Sequence, residues 1–245
     1  PDEVVVTAGV TLANLNSATT TFTMPAKDVE FTATYKTVDF TITVIGDANG
    51  AGRANTTGAS YGDEITLTAE PNEGYELDAW SSSDVTISGD KFTMPAKNVT
   101  VYATYKKSTY ELTVTDGKAS VNGGTAGTTV SAQMGDTVKL TADDAEEGYE
   151  FVNFTVNGEE ITGDTFTMPA GAVEVKANYK KTDYTVSVTG GTADKTTANI
   201  GDTVTLTVGT APEGKKFQNW KVNGADISGD TFTMPAGAVE VKANY

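Results

Sequence analysis

The sequence contains neither cysteine nor histidine, and both absences exclude chemistry. Without cysteine, no disulfide can staple the chain and no thiolate can bind a metal ion. Without histidine, the commonest general base of enzymes is missing. A Ser–Lys pair stays open as a catalytic arrangement, although no motif indicates one. We therefore expect a protein that is not an enzyme, with no catalytic residue, no metal site and no cofactor.

Positive charge is also scarce, since 17 Lys and Arg residues stand against 33 Asp and Glu residues, for a net charge of −16. Such a chain is repelled by nucleic acids and by anionic membrane surfaces. No apolar run approaches the roughly 20 residues that a bilayer-spanning helix needs. We expect a monomer that binds no nucleic acid and does not insert directly into a membrane.

One hexapeptide, Thr-Phe-Thr-Met-Pro-Ala, recurs along the chain. It occupies 21–26, 165–170 and 231–236, and a fourth copy at 91–96 begins with Lys91. The methionines of successive copies are 70, 74 and 66 residues apart, a period typical of a small domain rather than of a solenoid turn. The period predicts four segments, named here the half-repeat (1–36, the C-terminal half of a repeat), repeat 1 (37–106), repeat 2 (107–180) and repeat 3 (181–245).

The half-repeat corresponds to the second half of repeat 1. Pro1–Tyr35 aligns without gaps onto Pro71–Tyr105, sharing the Met-Pro-Ala-Lys run and the closing Ala-Thr-Tyr. Because this segment has no first half in the chain, its apolar positions would lack some of their normal partners. We expect it to be the least ordered part of the chain, or to borrow contacts from a neighbour. The apolar positions concerned are Val4, Val6, Val10, Leu12 and Leu15.

The pattern within each repeat indicates strands. Apolar and β-branched residues alternate with Thr at period two, which is typical of half-buried strands. No segment shows the 3.6-residue period of a helix over ten residues. Gly46–Gly62 is rich in Gly, Ala, Asn and Ser and predicts a loop or an irregular hairpin. We predict an all-β chain, a tandem array of modules of about 70 residues with five short strands each.

The joints between repeats are short. Only four residues separate the closing Tyr of one repeat from the opening aromatic residue of the next, at Lys36–Asp39, Lys106–Thr109 and Lys180–Asp183. Four extended residues span on the order of 13 Å, too little for a flexible tether. The sequence therefore predicts an elongated rod of touching modules.

The Phe and Met residues of the hexapeptide are two positions apart and lie on one face of a strand. We expect them in the core of each repeat. They are Phe92, Phe166 and Phe232 with Met94, Met168 and Met234.

A wider motif unites the repeats and resembles a known family. An opening strand is followed by Gly-Asp and a second strand, then by Glu-Gly-Tyr-x-Phe-x-x-Trp, the hexapeptide, and Val-x-Val-x-Ala-x-Tyr. This order resembles the divergent internalin-type B-repeat, related to the Listeria–Bacteroides repeat of bacterial surface proteins. The resemblance covers nearly the whole chain. The departures are Phe154 where the pattern has Trp, Lys215 where it has Tyr, and the half-repeat.

The resemblance implies a location outside the cell, secreted or attached to the cell wall, where such modules stand in tandem as spacers or adhesive segments. It also implies a β-grasp-like α+β module with a short helix, which we keep as the alternative fold. It carries over no active site.

The aromatic position of the wider motif is the strongest candidate for a ligand platform, because aromatic faces stack on sugar rings. The position is held by Trp80, Phe154 and Trp220. A large aromatic residue is equally the natural centre of a small β core. We expect core residues here and keep the glycan platform as the alternative.

Two Gly-Asp pairs recur in each repeat and place carboxylates at fixed positions. Asp caps backbone donors in turns, whereas a catalytic pair needs a cleft with two carboxylates about 5–10 Å apart. We expect turns at Asp63, Asp136, Asp202, Asp90, Asp164 and Asp230. Asp47-Ala48-Asn49-Gly50 resembles part of a Ca²⁺ loop but lacks the third ligand and the distal Glu.

These observations favour a non-enzymatic stalk or spacer that projects another domain from a bacterial surface. The alternative is a carbohydrate-binding or host-protein-binding module that uses the repeated aromatic position or exposed strand edges. The sequence identifies neither the ligand nor the partner.

Overall fold

The computed structural model describes residues 3–6, 8–14 and 17–245. These residues form 25 strands and no helix, which confirms the all-β prediction and gives no support to the helix-containing alternative. The chain divides into two compact units. Residues 1–107 contain the half-repeat and repeat 1, and residues 108–245 contain repeats 2 and 3. Pro1 and Leu15 lie outside the described residues.

The first unit begins with a two-stranded antiparallel sheet in the half-repeat, formed by β1 (Glu3–Val6) and β2 (Phe31–Thr34). Repeat 1 then forms a four-stranded and a three-stranded sheet. Its seven strands are β3 (Asp39–Ile45), β4 (Gly50–Ala54), β5 (Gly58–Ser60), β6 (Glu64–Pro71), β7 (Tyr75–Ser81), β8 (Lys91–Thr93) and β9 (Val99–Lys107). The sheet orders are β5-β3-β9-β7 and β4-β6-β8.

Repeats 2 and 3 each form a five-stranded and a three-stranded sheet. Repeat 2 contains β10 (Thr109–Thr115), β11 (Gly117–Val121), β12 (Thr129–Gln133), β13 (Thr137–Ala142), β14 (Tyr149–Val156), β15 (Glu159–Ile161), β16 (Thr165–Thr167) and β17 (Val173–Lys181). Repeat 3 contains β18 (Tyr184–Thr189), β19 (Gly191–Ala193), β20 (Thr197–Ala198), β21 (Thr203–Val208), β22 (Asn219–Val222), β23 (Ala225–Ile227), β24 (Thr231–Thr233) and β25 (Val239–Asn244). The orders are β12-β10-β17-β14-β15 with β11-β13-β16, and β20-β18-β25-β22-β23 with β19-β21-β24.

The opening and closing strands of every complete repeat are parallel neighbours. β3 pairs with β9, β10 with β17 and β18 with β25, and the other pairs in these sheets are antiparallel. The register places Ile42 beside Val99, and Leu112 beside Val173. Each repeat is thus closed by a strand that lies along its own first strand.

The core of each repeat lies between its two sheets, because buried residues of both sheets join one cluster. Met94, Met168 and Met234 are at most 1% exposed, as predicted. Phe92 is buried, whereas Phe166 and Phe232 are partly buried and pack against the clusters of repeats 2 and 3. The hexapeptide therefore supplies core residues in all three complete repeats.

Two parts of the sequence interpretation are wrong. The complete repeats have seven or eight strands rather than five. Gly46–Gly62, interpreted as a loop or an irregular hairpin, contains β4 and β5, which pair with β6 and β3 and not with each other. The reason is close packing: a Cβ at Gly50 would lie 2.8 Å from the Tyr105 ring, and one at Gly52 would lie 2.9 Å from the Trp80 ring. A strand pressed so tightly onto aromatic rings needs Gly, and therefore lacks the β-branched pattern that predicts strands.

Repeats 2 and 3 contain a hairpin that the described residues of repeat 1 lack. It begins with the strand that carries Phe154 or Trp220, named here the aromatic strand. In repeat 2, Asn157 and Gly158 both have positive φ, 50° and 86°, as a type I′ turn requires. This turn lets β15 return beside β14, and Asn223-Gly224 does the same for β22 and β23. Repeat 1 has Ser83-Asp84 at the aligned positions, and no strand beside β7 follows there among the described residues.

Candidate functional site

The aromatic position lies on the strand next to the closing strand. Trp80 pairs with Ala103, and Phe154 and Trp220 pair with the equivalent alanines, Ala177 and Ala243. Phe154 is 3% exposed and Trp220 is 1% exposed, whereas Trp80 is partly buried against the core of repeat 1. In this conformation the rings fill the space between the sheets. The prediction that they form a ligand platform stays a prediction, and it would require these rings to become accessible.

Glycine makes room for the two indole rings. A Cβ at Gly52 would lie 2.9 Å from Cη2 of Trp80, and a Cβ at Gly191 would lie 2.5 Å from Cη2 of Trp220. The aligned Gly117 of repeat 2 approaches backbone and Val114, but the Phe154 ring is not among its nearest neighbours. The larger Trp is therefore matched to a closely packed glycine, and the smaller Phe does without that contact.

The indole N–H of Trp220 is buried and has no hydrogen-bond partner among the described residues. Burying such a donor without a partner costs free energy. The ring of Trp220 nevertheless lies beside an open groove of about 1050 Å³. Phe217, Asn219, Asp226, Ile227 and Asp230 are among the other residues that line it. The groove thus combines an aromatic floor with amide and carboxylate groups.

The most accessible aromatic surface of the complete repeats 2 and 3 lies in repeat 2, on the first half of β14. Tyr149, Phe151 and Val152 are 40%, 42% and 47% exposed. The Phe151 ring contacts the rings of Phe154 and Tyr179, with centroids 4.9 Å and 5.9 Å apart. A β-bulge falls here, because the pairing with β17 shifts between Phe151 and Asn153. We name Tyr149, Phe151 and Val152 the β14 patch.

The first Gly-Asp pair of each repeat is bound to the methionine of the hexapeptide. In repeat 2 the amide of Gly135 donates to the Met168 carbonyl, and the amide of Met168 donates to the Asp136 carbonyl, both at 2.9 Å. The same two bonds join Gly62-Asp63 to Met94, and Gly201-Asp202 to Met234. The first Gly-Asp pair and the hexapeptide are therefore joined by backbone hydrogen bonds in each complete repeat.

The carboxylates of these pairs cap turns, in agreement with the sequence interpretation. Asp136 accepts a hydrogen bond from the Gln133 amide at 2.8 Å, and Asp202 accepts one from the Asn199 amide at 3.3 Å. The Asn199 N–H and then Lys195 lower the pKa of Asp202. In the second Gly-Asp pair the backbone carbonyl of Asp accepts the hydrogen bond: the Asp164 carbonyl accepts from the Leu140 amide at 2.7 Å. Hydrogen bonds to the backbone thus account for the repetition of both Gly-Asp pairs.

Asp47, which begins the partial Ca²⁺-loop pattern, uses both carboxylate oxygens locally. Oδ1 accepts from the Asn49 amide at 2.7 Å, and Oδ2 accepts from the Tyr105 amide at 2.9 Å. Within residues 3–6, 8–14 and 17–245, no group of three or more acidic side chains is arranged to hold a metal ion. The Asp47 carboxylate fixes the turn between β3 and β4 to the closing strand.

Sequence reasoning missed the role of the closing tyrosines, Tyr105, Tyr179 and Tyr245. The Tyr245 hydroxyl donates to the Gly190 carbonyl at 2.7 Å, and the Tyr179 hydroxyl lies 2.6 Å from the Asp143 carbonyl oxygen and 3.2 Å from that of Asp116. Tyr105 donates to the Ala51 carbonyl. Burial raises the pKa of Tyr105 and of Tyr179, and neighbouring carboxylates add to this.

Three of these carbonyls occupy aligned positions, since Ala51, Asp116 and Gly190 each precede the equivalent glycines described above. The closing tyrosine therefore ties the end of each repeat to the strand that follows its opening strand. The recurrence of Tyr at the end of four segments was the available signal, but it does not identify a backbone acceptor about 55 residues earlier.

A bulky side chain joins repeat 2 to repeat 3. A Cβ at Gly148 would lie 2.4 Å from Cγ2 of Ile200, and the Thr182 amide donates to the Gly148 carbonyl at 2.8 Å. The Asn199 side-chain amide donates to the Thr182 carbonyl at 3.0 Å and to Asp183 at 2.8 Å. We call these residues the 2–3 joint. Thr182, one of the four linking residues, is thus hydrogen-bonded to groups from both repeats.

Within the described residues, no helix is long and apolar enough to cross a membrane. Among curated protein sequences, none matches this chain. The solved structure titled "The Bacillus anthracis TIE protein" is similar at 10% identity and a TM-score of 0.31. That alignment covers 98% of this chain and 57% of the other, so this chain spans just over half of that protein's length.

A comparison with protein-family profiles matches the chain four times in tandem. The matching family is described as "Divergent InlB B-repeat domain", and the matches fall at residues 4–39, 40–109, 110–183 and 184–245. They include the half-repeat and leave almost no residue uncovered. This chain therefore belongs to the divergent InlB B-repeat domain family, whose members are associated with bacterial surface proteins.

Proposed function

We propose that this chain is a non-enzymatic spacer segment of a secreted or cell-wall-attached bacterial surface protein. The observation that carries the proposal is the 2–3 joint. A spacer must hold a distance. The hydrogen bonds that join Thr182 to Gly148 and to Asn199, with Ile200 packed against Gly148, restrict the movement of repeat 2 against repeat 3. The family is typically non-enzymatic, which supports the same function.

The recurring motifs support a structural role as well. The Gly-Asp pairs, the hexapeptide and the closing tyrosine are all engaged in hydrogen bonds or core packing within their own repeat. A sequence repeated for catalysis or ligand binding would place recurring polar groups at an accessible surface. Here the recurring Gly-Asp, Phe, Met and Tyr residues form the hydrogen bonds and the core of the module.

A distance measurement in the complete chain tests the spacer proposal. The chain has no cysteine, so Lys139→Cys with Thr205→Cys places two spin labels at aligned, exposed positions of repeats 2 and 3. We expect a single narrow distance distribution by pulsed electron resonance. A matched variant with a Gly-Ser insertion after Thr182 should give a broad one. Equal widths with and without the insertion would contradict a spacer function based on this joint.

The second candidate is a module that binds a carbohydrate or a host protein, and the β14 patch favours it. Exposed aromatic rings at the edge of a sheet are enriched at interfaces. If the patch binds sugars, soluble peptidoglycan fragments or dextran should give a saturable binding signal with the complete chain in titration calorimetry. Phe151→Ser should remove that signal. The control Tyr102→Ser alters an equally exposed aromatic ring on repeat 1. No response to either probe would remove the β14 patch as a binding site for these carbohydrates.

A further inference from the structure

Four Asn-Gly pairs occur in the chain, and their surroundings differ. They are Asn49-Gly50, Asn122-Gly123, Asn157-Gly158 and Asn223-Gly224. Asn is among the thermolabile residues of proteins. The backbone nitrogen of the following residue can attack the side-chain amide carbon of Asn, and a Gly in that place hinders the attack least because it has no Cβ. The reactivity of each pair therefore depends on what surrounds the Asn side chain and the Gly nitrogen.

The pairs at 157–158 and 223–224 are exposed and unobstructed. Both residues of each pair are accessible to solvent. No atom lies within 4 Å of the position that a Cβ on Gly158 or on Gly224 would take. A five-membered ring formed at either pair would thus meet no packed segment beside the glycine.

One backbone N–H binds the carbonyl oxygen of each of these two Asn side chains. The Glu174 amide donates to Oδ1 of Asn157, and the Glu240 amide donates to Oδ1 of Asn223, both at 2.9 Å. A donor at this oxygen stabilises the negative charge that develops when a nucleophile attacks the amide carbon, as the donors of an oxyanion hole do. In the described part of the chain these are the only hydrogen bonds of the two side chains, so the nitrogen that must leave is not held.

The other two pairs are held more firmly. Both ends of the Asn122 amide are bound, because Oδ1 accepts from the Thr137 amide at 3.0 Å and Nδ2 donates to the Asp136 carboxylate at 2.9 Å. Gly50 is buried, and a Cβ there would lie 2.8 Å from the Tyr105 ring. Loss of ammonia from Asn122 must break a hydrogen bond to a charged group, and rearrangement at Gly50 must displace a packed strand.

We propose that Asn157 and Asn223 are sites of spontaneous deamidation, at which the chain changes its own covalent structure with time. The Gly nitrogen bonds to Cγ of Asn and gives up its proton, the side-chain nitrogen leaves as ammonia, and a cyclic succinimide forms. Water then adds to one of the two ring carbonyls and opens the ring. One opening gives Asp, and the other gives isoaspartate, in which the backbone runs through the former side chain. This proposal is independent of the spacer function.

The two products differ in their effect on the hairpin. An Asp can keep the bond, because the Asp84 carboxylate of repeat 1 accepts from the aligned Thr100 amide at 3.0 Å. Isoaspartate adds one atom to the backbone of a two-residue turn, and that turn sets the register of its two strands. It should therefore separate β15 from β14, and β23 from β22, and expose Phe154 and Trp220, which pair with those strands.

The test follows the complete 245-residue chain by peptide mass spectrometry during storage at neutral pH. Each reacted Asn gains about 1 Da, because an NH2 group is replaced by OH. Asn157 and Asn223 should react about tenfold faster than Asn122, whose additional hydrogen bond to a carboxylate raises the barrier. In urea, where these contacts are lost, all four pairs should react at similar rates. Equal rates in the folded chain, or no reaction at 157 and 223, would overturn the proposal.

A variant tests whether the glycine nitrogen is the nucleophile. Gly158→Ala places a Cβ beside that nitrogen and should slow the mass gain at Asn157. The unaltered Asn223 of the same chain, in the equivalent turn of repeat 3, is the internal control and should react as before. An unchanged rate at Asn157 would overturn the assigned step.

Tryptophan fluorescence tests the effect of isoaspartate on the hairpin. In a Trp80→Phe background, the emission of Trp220 should shift to the red in proportion to the isoaspartate formed at position 223. Asn223→Asp makes the other product directly and should leave the emission in place. Isoaspartate without a red shift, or an equal shift in Asn223→Asp, would contradict the opening of the hairpin.

Discussion

Repeat 1 and repeat 3 share their sheet order up to the aromatic strand and differ just after it. Repeat 3 continues through Asn223-Gly224 into β23, which places Ile227 beside Trp220. Repeat 1 has Ser83-Asp84 and no paired strand there among its described residues, although Val85 and Ile87 still pack on the core. Trp220 is 1% exposed, and Trp80 is only partly buried. The Asn-Gly turn, the extra strand and the full burial of the aromatic ring thus occur together in repeat 3.

The turn residues of repeat 1 and of repeats 2 and 3 also bind the closing strand through different side-chain groups. In repeat 3 the Asn223 side chain accepts a hydrogen bond from the Glu240 amide at 2.9 Å, and Asn157 does the same for Glu174 in repeat 2. In repeat 1 the Asp84 carboxylate accepts from the aligned amide, that of Thr100, at 3.0 Å. The bond is kept, but its acceptor in repeat 1 is ionisable.

The largest expected effect is on the aromatic centre itself. Trp220→Ala should cost about 3–5 kcal/mol of the free energy of unfolding of repeat 3, because it removes a fully buried ring and leaves a cavity. Trp80→Ala should cost repeat 1 less, since its ring is already partly exposed. Urea unfolding followed by circular dichroism of the whole chain measures both. Equal costs would show that the hairpin adds nothing to the burial of the ring.

The next effect concerns the turn of repeat 3. Gly224→Ala meets no atom within 4 Å, but the φ of 84° is costly for a residue with a Cβ, so we expect a loss of about 1–2 kcal/mol. In a Trp80→Phe background, Trp220 is the sole indole. Its fluorescence emission should shift to the red and be quenched more strongly by iodide. Gly58→Ala, at an ordinary φ and with 3.7 Å to the nearest atom, is the matched control. It should change neither the free energy of unfolding nor the Trp220 emission.

A smaller gain should follow from moving the turn into repeat 1. Ser83→Asn combined with Asp84→Gly supplies the residues that favour a type I′ turn. We expect Trp80, observed in a Trp220→Phe background, to shift to the blue and to be less quenched by iodide. If the Trp80 emission stayed the same, residues 85–87 rather than the turn would control the missing strand.

The smallest expected effect is a dependence on pH that repeat 1 owes to Asp84. The Thr100 N–H and then Lys97 lower the pKa of Asp84, so its charged form is favoured in the folded state. This stabilisation is present above the ordinary Asp pKa of about 3.8 and is lost as pH falls through the lowered value. The melting temperature reported by Trp80 should therefore drop between pH 5 and pH 2 by more than in Asp84→Asn. Parallel pH profiles would contradict this role.

Much of this fold could be predicted from sequence because its core obeys simple alternation. The Met residues of the hexapeptide and the Thr/Val alternation of the opening and closing strands predicted buried positions and all-β structure. The Gly-Asp turns were predicted for the same reason that they form, since Asp caps nearby backbone donors. These are local properties, and a single sequence contains them.

The features that the sequence did not predict depend on contacts between distant segments. β4 is rich in Gly because it lies against Tyr105 and Trp80, so its composition indicated a loop. The bond from Tyr105 to Ala51 joins residues 54 positions apart. The contrast between Asn157-Gly158 and Ser83-Asp84 was visible in the alignment of the repeats, but its effect on strand number emerged only in the structure.

The parallel pairing of opening and closing strands has a mechanical consequence. In repeat 2 the pairing runs over four residue pairs from Leu112–Val173 to Thr115–Lys176. A pulling force enters at the N-terminal end of β10 and leaves at the C-terminal end of β17, and in parallel neighbours these ends lie at opposite ends of the pair. The strands must then slide past each other, so the hydrogen bonds between them are loaded together rather than broken one after another. The parallel pairing should therefore make each complete repeat resistant to tension along the chain.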